Sequence, residues 1–146
     1  MLSSTAEYAL RAVLYVAQHA EYGPVRVSQI AQALNLPRNY LSKILHELTR
    51  SGVLVSTRGK HGGFRLGQPA GSVSLYAVVN RFDRIEARRS CLLGRPECSD
   101  RQACLVHWRW KSLSEQVARF FRDTTVAELV SGAAAHPQTK RRVAND

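Results

Sequence analysis

The first half of the chain has apolar residues at the spacing of helices. The first predicted helix, in SSTAEYALRAVLYVAQHA, has apolar residues three or four positions apart: Leu10, Val13, Leu14 and Ala17. Ser4 and Glu7 have the spacing of a capping box, in which two side chains bond free N–H groups at a helix start. Gly23 and Pro24 predict where this helix ends.

Two further helices are predicted on either side of the tight turn NLPRN. Ser28 is a suitable N-cap for the second helix, and Pro37 suits the first position of the third. The third helix has an apolar face, formed by Tyr40, Leu41, Ile44, Leu45 and Leu48. Its opposite face is polar and basic, with Arg38, Asn39, Ser42, Lys43 and His46. Short helices in this arrangement indicate a DNA-binding helix-turn-helix.

A basic hairpin is predicted directly after the third helix. Val53 to Thr57 has the composition of a strand, RGKHGG that of a turn, and Phe64 to Leu66 that of a return strand. Arg58 and Lys60 lie in the turn, and Arg65 lies on the return strand. Such a hairpin is typical of a wing, whose glycines would let the backbone approach a minor groove closely.

The second half of the chain has helical periodicity on both sides of an irregular segment. SVSLYAVVNRFD predicts a short helix capped by Ser72 or Ser74. Residues 84–103 lack periodicity, whereas Cys104 to Asp123 predicts a longer helix with clustered apolar residues. Thr125 to Val130 predicts a last short helix.

Composition and charge narrow the classes of function. The chain has 146 residues, of which 45% are hydrophobic and 22% charged, as is typical of a globular protein. Its start lacks the features of a signal peptide or a membrane span, so a cytoplasmic protein is expected. A formal net charge of +10 favours a polyanionic partner such as nucleic acid. Because no common catalytic motif is present, an enzyme is not expected.

All three cysteines lie in the segment CLLGRPECSDRQACLVH. Six, five and two residues separate the members of a series that could bind a metal: Cys91, Cys98, Cys104 and His107. An odd number of cysteines in a reducing compartment argues against a disulfide framework. Thiolate and imidazole suit zinc or an iron–sulfur cluster, and Cys104 and His107 would share one side of a helix start. The long gaps favour a cluster, but zinc and unligated buried thiols stay open.

Four segments carry a resemblance to a known family: AEYALRAVLYVA, NYLSKILHEL, SGVLVSTRGKHGGFRL and CSDRQACLVHWRWKSLSEQVARFFRDTTVAELV. They resemble the Rrf family of bacterial winged-helix transcription regulators, over about residues 1–130. That family includes an iron–sulfur regulator, a nitric oxide sensor and an iron regulator. The resemblance implies a mainly α fold: a winged helix-turn-helix with a small two-stranded wing and a long C-terminal dimerisation helix.

The resemblance divides the chain into four expected regions. Residues 1–83 would form the winged helix-turn-helix domain, 84–104 the cluster-binding loop, 105–130 the dimerisation helix region, and 131–146 a disordered basic tail. The implied protein is a homodimer that binds palindromic double-stranded DNA, without a membrane or a small-molecule substrate as partner. It is expected to be an iron–sulfur-dependent regulator, a repressor, whose cluster state controls its DNA affinity.

The resemblance also implies the ligands of the cluster. Cys91, Cys98 and Cys104 match the cluster thiolates, and His107 matches the fourth ligand of the iron–sulfur regulator. Glu7 lies where the nitric oxide sensor has an acidic ligand that comes from the other subunit. A 2Fe–2S cluster is expected, with 4Fe–4S as the alternative. The alternative function is a cluster-free regulator that senses zinc or thiol oxidation.

DNA contacts are expected from the third helix and the wing. The residues predicted to bind DNA are Arg38, Asn39, Ser42, Lys43, Arg58, Lys60 and Arg65. Two departures from the family pattern leave the cluster type and the target sequence open. The first gap between cysteines is one residue longer than in the iron–sulfur regulator, and Ser42 replaces a glutamate that discriminates between DNA sites. The signal also stays open among nitric oxide, oxygen, redox state and iron supply.

Overall fold

The helices and the hairpin follow the predicted order along the chain. The computed structural model describes residues 2–85 and 91–132. Most of the predicted basic tail therefore lies outside the described residues, as do residues 86–90 of the predicted loop. The elements are α1 (Ser4–Gln18), α2 (Val27–Leu34), α3 (Arg38–Arg50), β1 (Leu54–Thr57), β2 (Gly63–Leu66), α4 (Leu75–Val79), α5 (His107–Asp123) and α6 (Val126–Val130). None of the described helices is long and apolar enough to cross a membrane.

Helix α1 is the centre of the helical core and contacts α2, α3, α4 and α6. Its inward face is built of small side chains, which let the neighbouring helices approach closely: Ala6, Ala9, Ala12, Val13 and Val16. Larger, fully buried side chains from the surrounding elements fill the space: Ile30, Leu41, Leu45, Leu48, Leu54, Val78, Val79 and Val126. Burial of each contributes roughly 1.5–3 kcal/mol before the entropy cost of folding is counted. The apolar face predicted for the third helix is therefore part of this core, whereas of the face predicted for the first helix Val13 and Ala17 are buried and Leu10 and Leu14 only partly so.

Glu7 does not cap helix α1. The N-cap is Ser3, whose Oγ accepts a hydrogen bond from the N–H of Ala6 at 3.2 Å. The predicted capping box of Ser4 and Glu7 is therefore wrong. The apolar pattern determines which residues face the core, whereas the first residue of the helix depends on the extended backbone at Ser3.

The predicted turn between α2 and α3 is present, but the helix boundaries differ from those predicted. Asn35 has a φ of 53°, a conformation that asparagine tolerates. Helix α2 begins one residue before Ser28, with the Gln29 side chain accepting from the N–H of Arg26 at 2.9 Å. Ser28 is therefore not its N-cap, and Pro37 is the residue before α3 rather than its first.

The wing is an antiparallel pair of strands with a third segment bridged to it. Val25 pairs with Phe64 next to the β1–β2 hairpin, with N···O distances of 2.8 and 2.7 Å. Gly63 has a φ of 154°, and a Cβ there would lie 2.6 Å from the Val25 carbonyl oxygen. At Gly62 a Cβ would lie 2.2 Å from the carbonyl oxygen of Thr57. Packing inside the wing therefore requires these two glycines, whatever the wing binds.

Helix α5 is the longest described helix and is mostly exposed in the single chain. It begins at His107, three residues after the predicted start at Cys104. Large apolar side chains on it are exposed: Trp108 is 61% exposed, Leu113 51% and Phe120 55%. Among the other described elements it packs mainly against α4. Leu113 and Phe120 lie seven residues apart and so on one face of the helix, and a continuous apolar face is typical of a surface that binds a partner.

Candidate metal centre and nucleic-acid interface

The structure brings Cys98 into contact with His107. The Sγ of Cys98 lies 3.2 Å from Nδ1 of His107, although nine residues separate the two positions. His107 is the first residue of α5 and its side chain is only 3% exposed. The backbone N–H of His107 donates to the Cys104 carbonyl at 3.0 Å, in the turn that precedes the helix. The loop thus folds back so that one thiol faces the imidazole, as a shared metal site requires.

Cys91 is buried in a tight turn that provides backbone donors to its sulfur. Hydrogen bonds from the N–H groups of Arg95 and Leu93 hold the pKa of the Cys91 thiol below its ordinary value. Gly94, with a φ of 74°, allows this turn, and its N–H donates to the Cys91 carbonyl at 3.0 Å. A thiol that is stabilised as a thiolate is prepared for metal binding.

Cys98 lies among the other thiols. Burial, followed by the neighbouring charges of Cys91 and Cys104, raises the pKa of the Cys98 thiol. An interaction with the Cys91 side chain raises the pKa of the Cys98 thiol further. Nearby thiolates repel one another, and a bound metal removes that repulsion because it is positively charged. By the chemistry of its donors, this set of thiols and an imidazole suits an iron–sulfur cluster or zinc.

Asp100 and Lys111 extend the site behind the imidazole. Oδ1 of Asp100 lies 2.8 Å from Nε2 of His107, and Oδ2 lies 2.8 Å from Nζ of Lys111. Lys111, followed by His107, holds the pKa of the Asp100 carboxyl below its ordinary value. Sequence reasoning missed both residues. A signal was present, since Lys111 lies four positions after His107 and therefore on the same helix face.

Some predicted ligands are not assembled within the single chain. The described residues contain no group of three His, Cys, Asp or Glu side chains placed to hold one metal ion. Cys104 lies three residues before the first residue of α5, so the predicted helix start at Cys104 is wrong. Glu7 is exposed on α1. A cavity of about 430 Å³ lies on the side of the site formed by Cys98, Asp100 and His107.

The predicted DNA-reading face of α3 is accessible. Arg38, Asn39 and Lys43 are exposed, and the opposite face is buried in the core. Ser42 is only partly exposed, and its Oγ donates a hydrogen bond to the Arg38 carbonyl at 2.8 Å. The Ser42 hydroxyl proton is thus engaged inside the helix, which leaves mainly its acceptor lone pairs for a base edge.

The cationic side chains of the wing are exposed as well, at Arg58, Lys60 and Arg65. The Arg26 guanidinium donates to the backbone carbonyl of Lys60 and so links the start of α2 to the wing tip. Sequence reasoning missed Arg26. Nothing in the local pattern signals a contact between residues 34 positions apart.

A helix-turn-helix with a wing and a helical segment behind it defines a winged-helix DNA-binding protein. The predicted mainly α fold is therefore confirmed. The sequence model of the Rrf2 family, described as "Iron-dependent Transcriptional regulator", matches residues 2–132. The chain belongs to the Rrf2 family of transcription regulators, as the sequence resemblance predicted.

Relatives and solved structures agree with this assignment. A helix-turn-helix-type transcriptional regulator of Aquifex aeolicus is 33% identical over 138 residues, or 93% of this chain and 95% of that protein. IscR of Yersinia enterocolitica is 34% identical over 130 residues, or 89% of this chain and 79% of that protein. These relatives are transcription regulators, so the prediction of a regulator rather than an enzyme is confirmed.

Two solved structures share the fold. CymR, the global cysteine regulator of B. subtilis, has a TM-score of 0.77 at 23% identity, covering 90% of this chain and 97% of that one. IscR of T. potens has a TM-score of 0.73 at 20% identity, covering 91% and 88%. At such identities the likeness establishes the fold alone.

Proposed function

We propose that the chain is an iron–sulfur-dependent transcription regulator that represses by binding a palindromic DNA site as a homodimer. The observation that carries the proposal is the 3.2 Å contact of Cys98 Sγ with His107 Nδ1, beside the thiols of Cys91 and Cys104. The description of the family as iron-dependent supports it, as does the 34% identity with IscR over 130 residues.

The cluster ligands in this proposal are Cys91, Cys98, Cys104 and His107. The bound cluster would supply redox chemistry and sensitivity to oxidants or nitric oxide. The protein contributes the backbone N–H groups around Cys91 and the buried imidazole of His107. Histidine is an established ligand of 2Fe–2S centres, which favours 2Fe–2S over 4Fe–4S. Glu7 from the second subunit is the alternative fourth ligand.

Helix α5 is the proposed dimer contact. Its exposed Trp108, Leu113 and Phe120 offer apolar surface to the same helix of a second copy. A twofold dimer would present two copies of α3 to half-sites about one DNA turn apart. Asn39, Ser42 and Lys43 would then reach base edges in the major groove. The other proposed contacts are Arg38, Arg58 in the minor groove, and Lys60 and Arg65 on phosphates.

Anaerobic purification tests the cluster part of this proposal. Wild-type protein is expected to be coloured and to contain iron and acid-labile sulfide, and loss of the cluster should change its affinity for operator DNA. Cys98→Ala should be colourless, whereas Ser99→Ala, a change at the next residue, should retain the colour. A colourless wild-type protein with stoichiometric zinc would overturn the proposal.

A cluster-free thiol sensor is the second candidate function. The interaction of the Cys91 thiol with the Cys98 thiol favours it, because two neighbouring thiols can form a disulfide by giving two electrons and two protons to a peroxide. Peroxide treatment of colourless protein would then give a Cys91–Cys98 disulfide, detected by peptide mass spectrometry, and change DNA affinity. Oxidation without any change in DNA affinity would exclude this candidate.

A further inference from the structure

Asp100 connects the imidazole of His107 to the ammonium group of Lys111. Its Oδ1 lies 2.8 Å from His107 Nε2 and 3.1 Å from Lys111 Nζ, and its Oδ2 lies 2.8 Å from the same Nζ. Asp100 starts the short 3-10 turn Asp100–Gln102, between the second and third cysteines. The carboxylate is therefore held from two sides at a fixed place behind the ring.

The chemistry of these groups determines which imidazole nitrogen carries the hydrogen. An ionised carboxylate can only accept hydrogen bonds, so Nε2 of His107 must be the donor in its 2.8 Å contact with Asp100. In the neutral ring the other nitrogen, Nδ1, then has a free lone pair. Nδ1 is the atom that faces Cys98 Sγ at 3.2 Å. The ring thus presents its lone pair towards the thiols.

We propose that Asp100 is the positioning residue that keeps His107 in the Nε2–H tautomer and so reserves Nδ1 for the cluster. This inference rests on the proposed function, since it assigns Asp100 a role towards the same cluster. Histidines that bind metals commonly donate their other N–H to a carboxylate, which fixes the ring and raises its basicity. At 3% exposure, His107 has little access to water as a substitute acceptor.

Lys111 holds Asp100 in this role. It lies one helical turn after His107 on α5, and its Nζ also lies 5.4 Å from the centre of the Trp108 ring. The ammonium group therefore approaches the carboxylate from the helix that carries the imidazole. Any shift of α5 would move the ring and its anchor together. Lys111→Met should weaken the restraint on Asp100 but leave the hydrogen bond to His107 possible.

Asp100→Asn is the sharpest test, because it conserves shape and changes chemistry. An asparagine can turn its NH₂ group towards Nε2 and donate, which would move the ring hydrogen to Nδ1 and block the ligand atom. In serine proteases the equivalent change leaves the geometry intact but selects the wrong tautomer. A residue that only filled space would tolerate asparagine. Glu97→Gln removes an exposed carboxylate from the same segment and is the matched control.

The readouts are the His107 tautomer in cluster-free protein and the capacity to bind a cluster. Long-range ¹H–¹⁵N NMR of the reduced full-length chain should show the Nε2–H tautomer in wild type and Glu97→Gln, and Nδ1–H in Asp100→Asn. The signal is assigned by its loss in His107→Gln. Reconstitution with iron and sulfide should bind about ten- to a hundredfold more weakly in Asp100→Asn, with Lys111→Met intermediate.

The outcomes separate this inference from the proposed function. If Asp100→Asn binds the cluster as tightly as wild type does, the inference is overturned and the cluster proposal stands. An Nδ1–H tautomer in wild type would overturn it as well. A third outcome is that Asp100→Asn changes the tautomer but even the wild-type protein binds no iron and sulfide. That result would support the tautomer assignment and reject the cluster.

Discussion

The helical core around α1 and the segment from Cys91 to the end of α5 are stabilised in different ways. In the core, apolar side chains from every surrounding helix are fully buried within one chain, as at Ile30 and Leu45. From Cys91 to Asp123 the buried residues are few: Cys91, His107, Ala118 and Phe121. Large apolar residues such as Leu105 and Trp108 are exposed there.

This difference indicates that the two regions have different roles. The core holds α3, the helix proposed to read DNA, in place with contacts that need no ligand. The cysteine segment has little buried apolar surface, and we expect it to gain stability from what it binds, a cluster and a second copy of α5. Loss of the cluster should therefore change how the two chains of the dimer are positioned relative to each other, without unfolding the core of either chain.

Removal of a core side chain should have the largest effect. Leu45 is fully buried, so Leu45→Ala should lower the free energy of unfolding by about 2–5 kcal/mol through lost burial and a cavity. Val55 on the wing is 41% exposed, and Val55→Ala should cost much less. Urea denaturation of cluster-free protein measures both. Similar losses of unfolding free energy for Leu45→Ala and Val55→Ala would show that the helical core around α1 is not the main source of stability.

Substitution of a cysteine should affect the cysteine segment and leave the helical core unchanged. Cys91→Ala, Cys98→Ala and Cys104→Ala should each abolish or greatly weaken cluster binding, because thiolates supply most of the bonds. The urea midpoint of the cluster-free protein should stay close to that of wild type. Visible absorption and denaturation curves are the measurements. Full absorption in all three variants would show that the thiols are not the ligands.

Substitutions of two lysines should distinguish contacts with bases from contacts with phosphates. Lys43→Ala should lose roughly 1–3 kcal/mol of discrimination at one base pair if its contact with a base edge is specific. Lys60→Ala should weaken binding to all sequences alike and reduce the salt dependence by about one unit of slope. Binding to cognate and scrambled duplexes across a salt series distinguishes them. Equal losses that do not depend on salt would mean that α3 does not lie in the groove.

Ser42→Ala should have the smallest effect. Because the Ser42 hydroxyl donates to the Arg38 carbonyl, its removal should change the free energy of DNA binding by about 0.5 kcal/mol or less. Asn39→Ala in the same helix is the comparison variant and should cost clearly more. The same duplex titrations apply. A loss for Ser42→Ala as large as for Asn39→Ala would show that the Ser42 hydroxyl leaves the Arg38 carbonyl and donates to a base.

Much of the fold was predictable because it depends on periodicity. The apolar spacing identified the buried face of α3 and part of that of α1, and the turn composition identified the wing. Helix starts were less accurate, since Ser3 and not Ser4 caps α1, and α5 begins at His107. A cap depends on the backbone conformation of a single residue, which the apolar pattern does not report.

The sequence indicates the candidate metal ligands but not the residues that contact and position them. Cys98 and His107 are candidates from the sequence because thiol and imidazole side chains are common metal ligands. Asp100 and Arg26 are not, because their roles depend on contacts formed only after folding, with His107 Nε2 and with the carbonyl of Lys60. Common residue types gain such roles from geometry, and geometry is absent from a local sequence pattern.

Pulsed electron paramagnetic resonance on the reduced, cluster-loaded protein tests the central claim most directly. With ¹⁵N-labelled histidine, wild type and Glu7→Gln should both show coupling of one histidine nitrogen to the cluster. His107→Ala should lack that coupling or lose the cluster. A cluster without histidine coupling in wild type, lost in Glu7→Gln and retained in His107→Ala, would contradict ligation by His107 and assign the fourth position to Glu7.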